Sequence, residues 1–71
     1  MKNWIDINKR IPIGKKPFLA KDDTGYIARG FPNWLTRQTK PGLFLPARHG
    51  EGMKVAYWKP LKNWENWRAE I

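Results

Sequence analysis

Cysteine is absent from this chain, and that absence restricts how it can fold more than any other feature. Seventy-one residues suffice for one hydrophobic core and not for two, so residues 1–71 are read as a single domain. A domain of this size buries only about 60% of the surface its unfolded chain exposes, and small domains usually add disulfides, metals or oligomerisation. Disulfides and thiolate metal sites are excluded here. The one histidine, His49, cannot build a zinc site without several well-placed carboxylates. Aromatic packing is what remains: five tryptophans, two tyrosines and three phenylalanines, each able to bury about 150–250 Å².

Proline and glycine then cut the chain into short pieces. Trp4-Ile5-Asp6-Ile7 alternates weakly and predicts a short strand. Residues 8–17 contain Pro12, Gly14 and Pro17, which forbid a helix, and form a loop with four positive charges and no negative one. The clearest local signal follows. Two apolar runs, Pro17-Phe18-Leu19-Ala20 and Tyr26-Ile27-Ala28-Arg29-Gly30-Phe31, flank Asp22-Asp23-Thr24-Gly25. Aspartate side chains bond their own backbone and glycine accepts positive φ, so a β-hairpin is predicted. Pro32-Asn33-Trp34 ends it.

Residues 35–52 carry Pro41, Gly42, Pro46, Gly50 and Gly52. A connection this long within a small domain is uncommon and often functional. Leu43-Phe44-Leu45 inside it is either a short strand or an anchor pinning the loop to the core. Met53-Lys54-Val55-Ala56-Tyr57-Trp58 predicts one further strand, with Val55 and Tyr57 on one face and Lys54, Ala56 and Trp58 on the other, ended by Pro60. In the tail, Trp64, Trp67, Arg68 and Ile71 share helical spacing behind Asn63, a possible N-cap. Nine residues cannot hold an isolated helix, so one or two turns docked by the tryptophan face are expected. Asn-Trp recurs at 3–4, 33–34, 63–64 and 66–67, but the residues between do not repeat, and no solenoid is inferred. The fold expected is mainly β: a small antiparallel sheet of three or four strands, SH3-like in size, with a long irregular loop and a short C-terminal helix.

Charge bears on function. Fourteen Lys and Arg against six Asp and Glu give +8 and a pI near 10.2. Such a balance attracts polyanions without deciding the fold. Lys9, Arg10, Lys15 and Lys16 cluster in one loop, and residues 24–50 hold no acid while Arg29, Arg37, Lys40 and Arg48 are spread along them. If both loops share one side, they make a positive face suited to phosphates. Trp34, close to Arg37, is a candidate to stack a base; in a loop after Pro-Asn it is equally well read as core. Trp4 and Trp58, in alternating apolar contexts, are expected in the core. No helix-turn-helix, ribonucleoprotein or zinc-finger pattern is present, so nucleic-acid binding would rest on backbone charge. Tryptophan and arginine are also enriched at protein-binding hot spots, which keeps an acidic protein as the alternative partner.

Catalysis finds little support. The chain has no serine and no cysteine, the two commonest nucleophiles. Its six acids form no motif of known spacing, Asp22-Asp23 sits where a turn is expected, and His49 lies in a glycine-flanked loop. No glycine-rich phosphate loop occurs. No cofactor and no small-molecule substrate are expected. No apolar run approaches the roughly 20 residues of a membrane span. The opening Met1-Lys2-Asn3-Trp4 predicts no signal peptide, and a cytoplasmic monomer or weak homodimer is the expectation.

Two blocks bring a known family to mind. Trp4-Ile5 followed by Arg10-Ile11-Pro12 resembles an N-terminal Trp-Ile-x4-Arg-Leu-Pro signature, and Trp58-Lys59-Pro60-Leu61 resembles a C-terminal His-Trp-Met-Pro-Leu-Pro signature. Both belong to a small domain common in bacteriophages and prophages, domain of unknown function 551. The resemblance spans residues 3–61. Tyr57 stands where that family has histidine, Lys62 replaces its last proline, and residues 62–71 extend past its usual end. The family supplies no catalytic residues. What the resemblance implies is a setting: a phage or prophage accessory protein that acts inside a bacterial cell on nucleic acid or a host protein.

Overall fold

Asp22 organises the hairpin turn. Its Oδ1 accepts from the Thr24 amide at 2.9 Å, the Thr24 hydroxyl at 2.7 Å and the Tyr26 amide at 3.0 Å. Gly25 supplies the positive φ, at 94°, that lets the chain reverse. The computed structural model describes residues 3–37, 42–46 and 52–71. Seven short strands are found among them: β1 (Ile5–Asp6), β2 (Phe18–Lys21), β3 (Ile27–Gly30), β4 (Thr36–Arg37), β5 (Leu43–Leu45), β6 (Met53–Lys54) and β7 (Tyr57–Pro60). They make two antiparallel sheets, a four-stranded one in the order β1-β7-β2-β3 and a three-stranded one in the order β4-β5-β6. The mainly β, antiparallel expectation holds, with the predicted hairpin as β2 and β3.

Register explains the core. Phe18 faces Gly30 and Pro60, Leu19 faces Arg29 and Lys59, and Ala20 faces Ala28 and Trp58 across the sheet. Alternation sends Phe18, Ala20 and Trp58 to one side, where they form the core cluster with Leu45, Met53 and Val55 of the second sheet. Phe18 meets Trp58 edge-on, centroids 6.1 Å apart, and the Trp58 indole N–H donates to the Arg10 carbonyl at 2.8 Å, which leaves no polar cost for burying that ring. The opposite face carries Leu19, Lys21, Arg29 and Lys59. Leu19 is nonetheless fully buried, so this face is covered too.

Several expectations need correction. Residues 53–58 are not one strand. Val55 and Ala56 interrupt it, because the Val55 amide donates to Leu43 in one sheet and the Ala56 amide to Lys21 in the other. The chain changes sheets there, so simple alternation fails: Val55 and Trp58 are both buried. Nor does Pro60 end the strand at Trp58. It lies inside β7 opposite Phe18, tolerated because β1 pairs only with Tyr57 and Trp58 and no partner strand asks for its missing N–H. Within the expected irregular loop, Leu43–Leu45 is a strand, and Thr36–Arg37 pairs with it. The C-terminal helix is a single 3-10 turn, Trp67–Glu70. Asn63 does cap backbone, its Oδ1 accepting from the Glu65 and Asn66 amides at 3.1 Å each, but Ile71 stays exposed. Trp58 is core, as expected. Trp4 is not: it is half-buried on the outer face, with the ammonium groups of Lys21 and Lys59 at 5.1 and 5.2 Å from its ring.

Candidate functional site

The register gives the four-stranded sheet two unlike ends, roughly 10 Å apart over the four residues of β2. At one end lie Lys21, Tyr57 and Asp6, then the Asp22-Asp23 turn. At the other lie Phe18, Gly30 and Pro60, followed by Phe31 and Leu61 and preceded by Lys15, Lys16 and Pro17. The Leu61 amide donates to the Pro17 carbonyl at 3.1 Å, which fastens this second end.

A concavity of about 280 Å³ at the first end is lined by Asp6, Asp23, Lys54 and Tyr57 among others. Asp6 spends one carboxylate oxygen on the Asn8 amide at 2.8 Å. Among the described residues, no group of three or more His, Cys, Asp or Glu is placed to hold a metal. Burial pushes the Asp22 carboxyl up, but hydrogen bonds from Thr24, Tyr26 and Gly25 outweigh it and hold the acid below its ordinary value. Such a charge keeps a turn in shape. This end is acidic and local in its bonding.

The second end is aromatic and basic. After β3, Pro32–Trp34 forms a 3-10 turn with proline at its start, which folds Trp34 back toward Phe31. Three rings meet there. Phe31 and Trp64 stack with centroids 4.9 Å apart and planes 20° apart. Trp34 stands nearly perpendicular to both, 5.2 Å from Phe31 and 5.8 Å from Trp64. Arg29 reaches across the outer face, its guanidinium 4.5 Å from the Trp64 ring and its Nη1 donating to the Trp64 carbonyl. Each aromatic pair is worth about 0.5–1.5 kcal/mol beyond the area it buries. The cluster therefore ties the tail to the sheet. It also rests on Gly30: a Cβ there would lie 2.7 Å from Leu45 Cδ1 and 3.2 Å from Trp34 Cε3.

Beside the cluster runs an open groove of about 570 Å³, lined by Gly14, Lys15, Phe31, Asn33 and Trp34. Lys16 follows Lys15 and is exposed like it. Of the acids in the tail, Glu65 is exposed, whereas Glu70 is half-buried and tied to the backbone. Its two oxygens accept from the Lys62 amide at 2.8 Å and the Asn63 amide at 2.7 Å. Those bonds, together with the charges of Lys62 and Lys59, hold the Glu70 carboxyl below its ordinary value against the opposing effect of burial.

The residues singled out from sequence are thus divided. Lys15 and Trp34 come together at the groove, and Lys16 is the exposed neighbour of Lys15. Lys9 and Arg10 are not among the groove-lining residues: their amides donate to the Asp6 carbonyl at 3.0 and 3.2 Å, and the Arg10 guanidinium lies 5.7 Å from the Trp58 ring. Buried Pro12 lies between this pair and Lys15-Lys16 in the loop. Arg37 is placed only as a backbone position in β4. Lys40 and Arg48, with His49, lie outside the described residues. Phe31, Trp64 and Arg29 were missed as members of the site. Trp64 bears helical spacing in the sequence, and nothing local reveals that it stacks on a ring 33 positions earlier. Compared with known proteins, the chain matches no family model, no curated protein and no solved structure.

Proposed function

We propose that this chain is a non-enzymatic binding module for a polyanion, and that the polyanion is nucleic acid held mainly through its phosphates. One observation carries the reading. Exposed Lys15, followed by exposed Lys16, lines a groove with an exposed tryptophan at one end of the sheet, while Asp6, Asp22 and Asp23 lie at the other. A net charge of +8 attracts a negative partner and raises the encounter rate. The resemblance to domain 551 adds a phage or prophage setting to this proposal and contributes no chemistry.

The test is salt. Binding of unrelated oligonucleotides, followed by fluorescence anisotropy, is expected to weaken steeply between 50 and 200 mM salt. If about three to five phosphates are neutralised, the loss is roughly 20- to 120-fold. The double substitution Lys15→Glu, Lys16→Glu should weaken all sequences alike and flatten the salt slope by about two phosphates' worth. Salt-insensitive capture of one host protein, surviving nuclease treatment, would overturn the proposal in favour of an acidic protein partner.

A further inference from the structure

Resting on that reading, the geometry points to the kind of nucleic acid: we infer that the groove takes an unpaired base, stacked on Trp34, so that the ligand is a single strand and not a duplex. The inference begins from what the other indoles do. Among the described residues, Trp4, Trp58, Trp64 and Trp67 each have at least one cation over the ring, at 4.5–5.7 Å. No such cation is found over Trp34 among the described residues. Its contacts with Phe31 and Trp64 are both near-perpendicular, so neither ring stacks face to face with it. Trp34 is also 40% exposed and lines the groove.

The setting matches what a base requires. A flat π-face stacks on any of the four bases, which suits a strand bound without sequence preference. Lys15 lies in the same groove wall, within reach of a phosphate next to a base on Trp34. Ile13, just before Gly14, is 80% exposed, so apolar surface continues along this rim. A duplex keeps its bases stacked inside and offers phosphates alone; its rings could not enter without unstacking. Trp64 and Arg29 play a positioning role, holding Phe31 and Trp34 in place, while Phe31 forms part of the groove wall.

The experiment compares a 12-nucleotide mixed-sequence single strand with its own duplex at one fixed salt concentration, using anisotropy of the labelled DNA. The full chain, Trp34→Ala, Trp34→Phe and Lys15→Glu/Lys16→Glu are each measured. The single strand is expected to bind about ten-fold tighter than the duplex. Trp34→Ala should remove that advantage, and Trp34→Phe should restore part of it. The salt slope should stay unchanged in both Trp34 variants, since no phosphate contact is lost. The lysine variant should weaken both ligands together. Near-ultraviolet circular dichroism of each variant separates loss of stacking from loss of fold. Equal affinity for strand and duplex, untouched by Trp34→Ala in a folded variant, overturns the stacking inference and leaves the phosphate reading standing. Binding to neither DNA overturns both. Tight binding of an acidic peptide alone, abolished by Trp34→Ala, overturns both in favour of a protein ligand.

Discussion

The two ends of the β2–β3 hairpin are held by different physics. At the turn, one carboxylate gathers three donors from residues two and four positions away. At the opposite end, rings from residues 31, 34 and 64 stack, with Arg29 over one of them. The first end is built from neighbours in sequence and carries acids. The second is built across the chain and carries Lys15 and Lys16. A turn of this kind needs only four or five residues to be right, whereas the aromatic end needs the whole fold to be right before its surface exists. The surface proposed to bind is therefore the more costly of the two to assemble and the more sensitive to distant substitution.

The largest expected effect is at the aromatic end. Trp64→Ala removes the stack on Phe31, the seat of Arg29 and the edge contact of Trp34 together. For a half-buried tryptophan this should destabilise by about 3 kcal/mol, a substantial fraction of the total stability of a chain this short. Urea unfolding would measure it, and a loss below 1 kcal/mol would mean that the tail is not tied to the sheet as described. Next comes Gly30→Ala. The added Cβ would press on Leu45, which is fully buried and cannot swing aside, so overpacking of about 1–3 kcal/mol is expected, with Trp34 displaced as well. A change confined to stability, with Trp34 fluorescence unaltered, would separate the core from the groove.

The smallest effect is at the turn. Asp22→Asn should cost about 1 kcal/mol near neutral pH, as expected for exposed hydrogen bonds to a charged group. Its signature is the pH profile. The folded-state pKa of Asp22 lies below the ordinary 3.8, so its contribution is fully present above that value and is lost as pH falls through the lowered one. Glu70 has the same sign from an ordinary 4.5. Acid unfolding should therefore carry a contribution from each carboxylate below about pH 4.5, with Asp22→Asn and Glu70→Gln each removing its own. A single unchanged acid transition in both variants would break the distinction between the two ends.

How much of this was legible in the sequence follows the same division. Asp22 and Gly25 announced the hairpin because their chemistry acts within four residues. Ile5, Leu43 and Trp58 announced strands or core through local apolar pattern. The split at Val55 and Ala56 was hidden, since residues 53–58 alternate acceptably and only the partners show the change of sheet. At the site, the groove unites Lys15 and Trp34, both picked out by charge and by context, while Lys9 and Arg10 do not line it. Trp64 and Phe31 share no local pattern. Their contact is a consequence of the tail crossing the face that bears Leu19 and Arg29, a matter of tertiary path.

That change of sheet has a mechanical result. Because consecutive amides at Val55 and Ala56 are fastened to different layers, neither layer can loosen without pulling on the other through a single peptide link. The two small sheets share one core and are thereby made to melt as one unit, and a domain without cysteine acquires a covalent rivet from its own backbone.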